Sequence, residues 1–97
     1  MFCFAEAKVF NQPLSFNTSL VTNMDNMFNG ATSFNKPLNK WNVSSVTDMK
    51  FMFADANSFQ QTLCGAAWVK SKASKTDMFD ESPGSISKAV CGAWLYW

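Results

Sequence analysis

The stretch FNKPLNKWNVSSVTDMKFMFADAN, residues 34–57, decides how this chain is read. One copy earlier, residues 10–33 run FNQPLSFNTSLVTNMDNMFNGATS. Val21, Thr22, Met24, Met27, Phe28, Ala31 and Phe34 recur at Val46, Thr47, Met49, Met52, Phe53, Ala56 and Phe59, each 25 residues on. Self-similarity of this period belongs to chains built from stacked units, each too small to bury its own apolar face. The expected fold class is a repeat solenoid. Its coils are short β-strands, tight turns and short helical or 3₁₀ turns.

The copies extend outward from this centre. Residues 1–9 are the tail of a repeat, since Cys3, Phe4, Ala7 and Phe10 match Met27, Phe28, Ala31 and Phe34. Residues 10–33 form a complete copy, one residue short between Leu14 and Phe16, and residues 34–58 form the cleanest one. Residues 59–85 have drifted: Leu63 keeps its place, Trp68 arrives two residues late, and Met78 with Phe79 closes the unit. Residues 86–97 begin a further partial copy. There Ile86, Val90, Cys91, Gly92 and Ala93 follow Phe59, Leu63, Cys64, Gly65 and Ala66 at a spacing of 27, with Trp94 after them as Trp68 is above. The expectation is a single solenoid fragment over 1–97, taken from a longer protein, because the chain starts partway through a repeat.

Within one copy the local signals are mixed. Pro37 rules out a helix over residues 34–40 and favours a turn or an extended piece. Trp41, Val43, Val46 and Thr47 favour short extended segments. The spacing of Val46, Met49, Phe53 and Ala56, at 3, 4 and 3, fits a helical face. Thr47, Asp48, Asn57 and Ser58 are poor inside helices, so the expectation is one or two helical or 3₁₀ turns. The turn residues Asn29 and Gly30 support a stop there. Phe34, Leu38, Trp41, Val46, Met49, Met52, Phe53 and Ala56 are the expected core of the copy. A lone copy buries too little to offset the entropy of ordering it, so neighbours must stack.

Composition narrows the function classes. A net charge of +1 over 97 residues implies neither a nucleic-acid surface nor an acidic tail. With 47% hydrophobic and 15% aromatic residues, ten of them Phe, the chain asks for a core. No stretch approaches the ~20 apolar residues that span a bilayer. Nor does the start read as a secretory signal, since Met1, Phe2, Cys3 and Phe4 lack a basic flank and lead into Glu6 and Lys8.

Reactive chemistry is thin. The chain has no histidine, which removes the commonest general base and metal ligand. Asp80 and Glu81 are adjacent carboxylates on an expected solvated turn before Ser82, Pro83 and Gly84. Asp25 matches Lys50 and Asp48 matches Asn23, so carboxylates do not repeat into an ion-binding ladder. No phosphate loop or nucleophile elbow is present. The expectation is a protein that is not an enzyme and has no cofactor and no metal.

Three features stay open. Cys64 and Cys91, placed equivalently in neighbouring coils, would lie one strand spacing of ~4.8 Å apart, within reach of a disulfide. Two buried free thiols are the alternative, and Cys3 reads as a core residue. Asn17 and Asn42 open the sequons Asn17-Thr18-Ser19 and Asn42-Val43-Ser44 at one repeat position. They are N-glycosylation sites, or a side-chain ladder that satisfies a corner. Lys70, Lys72 and Lys75 make a small basic cluster whose default is a solvated loop face. The apolar tail Trp94, Leu95, Tyr96 and Trp97 reads best as the cut end of a longer array.

FNQPL (10–14), FNKPL (34–38), WNVSSVTDM (41–49) and the pattern M-x-x-M-F-x-x-A-x-x-F (49–59) resemble one known repeat. It is that of BspA-like leucine-rich-repeat surface proteins, also described as the mycoplasma-type lipoprotein repeat of unknown function. The drifted copy with Cys64, Gly65, Ala66, Ala67 and Trp68 looks like the long arrays in algal proteins. The resemblance implies a leucine-rich-repeat-like solenoid, a cell-surface or extracellular setting, and adhesion or protein binding. It supplies no catalytic residues.

The expected function is a non-enzymatic repeat module of a surface or secreted protein. It would bind an unknown protein or glycan ligand through one solenoid face and stack on further repeats of a longer chain, without nucleic acid and without a transmembrane segment. Asn17 with Asn42, Asn23 with Asp48, and Lys36 with Lys40 would line candidate faces. A purely structural spacer or wall-associated scaffold is the alternative. A flat glycan- or ice-binding face ranks last, because only Thr22 and Thr47 align.

Overall fold

The fold rests on a division of labour among backbone N–H groups. Met24, Asn26, Phe28 and Gly30 donate to the carbonyls of Asp48, Lys50, Met52 and Ala54 in the next copy, at 2.7–3.0 Å. The alternating residues Met27, Asn29 and Ala31 donate back to Met24, Asn26 and Phe28, closing successive tight turns. One copy on, the pattern repeats. Met49, Phe51, Phe53 and Asp55 reach Ser74, Thr76, Met78 and Asp80, while Met52, Ala54 and Ala56 close turns on Met49, Phe51 and Phe53. Phe4 and Glu6 begin the series on Met27 and Asn29. The computed structural model describes residues 4–14 and 17–91.

This pattern replaces the helical turns expected over residues 46–56. A helix would direct its N–H groups along its own axis to carbonyls four residues back, leaving none for the neighbouring copy. Here the backbone is bent out of helical geometry by left-handed residues four apart: Asn26 and Gly30, Phe51 and Asp55, Asp77 and Glu81. Asn and Asp tolerate that conformation better than most residues. Phe51 does not, and its φ of 57° carries a cost of about 1–2 kcal/mol that its N–H bond to Thr76 helps offset. Gly30, at φ 78°, is required for a second reason: a Cβ there would run into the Glu6 carboxylate.

Regular elements are few. Strand β1 (Thr62–Leu63) pairs in parallel with β2 (Ser85–Ile86), and helix α1 (Ala66–Val69) lies between them in sequence. Single parallel bridges link Asn23 to Asp48 and Asp48 to Ser74. Beyond these, the short extended segments expected around Trp41 and Val43 are irregular backbone. The pairing sets Leu63 against Ile86, whereas the 27-residue spacing had set it against Val90. The two alignments rejoin at Cys91, whose N–H bonds the Cys64 carbonyl at 2.9 Å. Residues 87–90 leave the line as a small turn closed by Ser87 Oγ on Ala89, and Val90 is exposed.

Side chains stack where the backbone does. Phe4, Phe28, Phe53 and Phe79 form a column with centroids 5.3–5.4 Å apart and planes within 7°. Phe10, Phe34 and Phe59 form a second column at 5.8 Å. The columns touch where one copy runs into the next, Phe4 on Phe10, Phe28 on Phe34 and Phe53 on Phe59, at 4.6, 4.4 and 4.2 Å. Trp41 Nε1–H donates to the Leu14 carbonyl and Trp68 Nε1–H to that of Leu38, so each indole ties its copy to the one before. All eight expected core residues of residues 34–58 are buried, none above 6% exposure. Cys3 and Trp94, with the tail through Trp97, lie outside the described residues.

Replacing an inner ring removes contacts on three sides. Phe28→Ala or Phe53→Ala is expected to cost about 3–5 kcal/mol. Phe79→Ala, at a half-buried column end, should cost clearly less. Urea denaturation of the three variants checks the order.

Candidate functional site

The side chains at the corners divide into those that tie copies together and those left for other work. Asn11 Oδ1 accepts the Asn35 N–H at 2.8 Å, and Asn35 Oδ1 accepts the Gln60 N–H and Gln61 Nε2 at 2.9 Å. Asn39 Oδ1 accepts the Cys64 N–H at 2.9 Å. This asparagine ladder follows the two phenylalanines that open the copies. The repeated Phe-Asn at 10–11 and 34–35 is its signal in the sequence, whereas the ladder was expected at Asn17 and Asn42.

At the sequons the structure places no ladder between Asn17 and Asn42. Each is exposed and closes its own turn, Asn17 Oδ1 on the Ser19 N–H and Asn42 Oδ1 on the N–H and Oγ of Ser44. The tie between copies comes from Thr18, buried to 3% exposure, whose Oγ1 donates to the Asn42 carbonyl. The side-chain amide nitrogens of Asn17 and Asn42 donate to no described residue.

Cys64 and Cys91 form a disulfide with Cα atoms 5.2 Å apart, fastening the last described residues to the drifted copy. It stands beside β1, β2 and the Cys91 N–H bond, so it closes a junction that hydrogen bonds already set. Asp80 and Glu81 are exposed, with the Asp80 carbonyl accepting from Asp55. Among the described residues no three His, Cys, Asp or Glu side chains group as metal ligands. Asn23 and Asp48 are bridged neighbours, and Asp48 pairs with Lys50 at 3.6 Å, a half-buried surface ion pair of small energetic worth. Lys36 is half-buried and Lys40 exposed, with no ion pair for either among the described residues.

The three lysines are separated by the structure. Lys75 turns inward: its Nζ donates to the carbonyls of Ser71 and Ala73 at 2.7 and 3.1 Å, folding the loop after α1. Burial lowers its pKa from the usual 10.5. Lys70 and Lys72 remain outside and line a cleft of about 540 Å³ with Ser44, Val46 and Thr47 of the preceding copy. A second hollow, of about 470 Å³, lies among Leu14, Pro37, Lys40 and Trp41.

The chain matches the model described as Mycoplasma protein of unknown function, DUF285, over residues 1–94, and it belongs to that family. No curated protein and no solved structure matches it. Among the described residues no helix is long and apolar enough to cross a membrane.

Asn35→Ala removes the acceptor of the Gln60 N–H and of Gln61 Nε2 and is expected to lower stability by about 0.5–1.5 kcal/mol, with Asn42→Ala costing less. Thermal denaturation of both variants tests the assignment of the ladder. Reducing the Cys64–Cys91 bridge, whose separation is 27 residues, removes up to about 3.5 kcal/mol by the chain-entropy estimate. Melting with and without reductant reads it directly.

Proposed function

We propose that this chain is a leucine-rich-repeat-like solenoid fragment of the BspA-like kind, and that it serves as a non-enzymatic binding module of a surface or extracellular protein. The observation that carries the reading is the succession of N–H to carbonyl bonds between residues 23–25 apart, which aligns equivalent side chains in rows. A stack of this type buries its repeated residues between copies and leaves corners and loops for recognition. Family membership supports the same reading. Among the described residues Cys64 is held by Cys91, and Asp48 pairs with Lys50. Like the binding face, the surface location and further repeats beyond this chain are parts of the proposal.

The alternative from another class is a spacer whose copies matter only as scaffold. Screening the folded chain against protein and glycan panels separates the two. A saturable ligand, lost on substituting one row such as Asn17 with Asn42 while the melting temperature is kept, is expected of the binding module. Absence of any saturable ligand favours the spacer, and turnover abolished by a single Asp or Cys change would overturn both. Peptide mass spectrometry of the protein from its own cells tests the location. Glycans on Asn17 or Asn42 and an intact bridge are expected of an exported protein.

A further inference from the structure

The cleft beside α1 has a composition that selects its occupant. Its aliphatic lining is Val46, a core residue, with Ala66, Ala67 and Ala73, of which Ala67 and Ala73 pack against the core. Three hydroxyls, from Ser44, Thr47 and Ser71, share that lining with Lys70 and Lys72. None of the lining residues is acidic, and among the described residues neither lysine has a carboxylate partner.

The hydroxyls are not equivalent. Ser44 Oγ donates to Asn42 Oδ1 at 2.6 Å and Thr47 Oγ1 donates to the Thr22 carbonyl at 3.2 Å. With their protons so used, both oxygens keep only acceptor capacity for a further partner. Ser71 Oγ accepts the Ala73 N–H and keeps its proton to donate. The cleft therefore offers acceptors for O–H donors, cations for an anionic group, and small aliphatic side chains on which a ring can lie closely.

We infer that the cleft formed by Ser44, Thr47, Ser71, Lys70 and Lys72 binds an acidic sugar unit of a polyanionic polysaccharide. Its carboxylate meets the two lysines and its hydroxyls donate to Ser44 and Thr47. Inorganic anions carry the charge without a ring, and an acidic peptide has no saccharide ring to cover the alanines. The inference rests on the binding-module reading and names a ligand class for it.

The test titrates the disulfide-bonded chain with trigalacturonate, with maltotriose as neutral control and triglutamate as the peptide alternative, followed by calorimetry and amide chemical shifts. Saturable binding of trigalacturonate, with shifts at Ser44, Thr47 and Ser71 and none from maltotriose, is expected. Replacing Lys70→Gln and Lys72→Gln together should weaken it about tenfold or more. Ala66→Trp keeps the charge and fills the cleft, so it should abolish binding. Triglutamate binding as tightly, binding unmoved by Ala66→Trp, or no saturation at all overturns the inference. If trigalacturonate fails while the ligand panels give a partner on another face, the binding module stands and only this cleft assignment falls. Empty panels as well would remove both.

Discussion

One constraint governs the molecule: in the turn-rich half of each copy, every second N–H must point at the next copy. Met24, Asn26, Phe28 and Gly30 do so, and Met49, Phe51, Phe53 and Asp55 repeat it. The intervening N–H groups are then used up in closing turns, which satisfies the backbone without helix or extended strand. The left-handed residues follow from this requirement. Turning every second peptide outward while the chain still curves needs a reversal of φ at regular places, and Asn26, Gly30, Phe51 and Asp55 supply it. The phenylalanine columns follow in turn. Once the backbones are held a fixed distance apart, equivalent rings have nowhere to lie but face to face, at 5.3–5.8 Å.

That order of causes explains what could be read from the sequence and what could not. The period and the identity of the core residues were legible, because an apolar side chain must recur wherever copies meet. Phe34, Met49, Met52 and Phe53 were found this way and have no exposure at all. The conformation between them was not. Val46, Met49, Phe53 and Ala56 have helical spacing, but a run of tight turns that returns side chains to one face has the same spacing. The deciding residue is Phe51, and nothing about phenylalanine announces a positive φ.

The corners show a similar split. Exposed Asn17 and Asn42 stand in sequons, a pattern with a familiar meaning, while the structural asparagines Asn11 and Asn35 sit in FNQPL and FNKPL, which mark the repeat without saying what the asparagine does. A short polar side chain beside a recurring aromatic, repeated 24 residues on, was the better clue. The basic cluster was visible but its geometry was not. Lys75 is drawn into the loop by two carbonyls, and the cleft needs Ser44 and Thr47 from a different copy. No local reading of residues 69–75 contains those partners.

Drift in the repeat then becomes the place where function can be added. In the stack proposed here, positions that carry N–H bonds or rings cannot change without unfastening a neighbour. The copy of residues 59–85 keeps them: Phe59, Leu63 and Met78 stay buried, and Phe79 completes its column. What it alters is the connection between them, where α1 displaces Trp68 along the chain yet its indole still reaches the Leu38 carbonyl at 2.8 Å. Gly65 permits this, because a Cβ there would overlap the Asn39 carbonyl oxygen. The added backbone projects beside residues 44–47 and makes the cleft without disturbing the ladder. In the binding reading proposed here, recognition falls to the segment that the stacking constraint leaves free, and the constraint itself is met by the residues on either side of it.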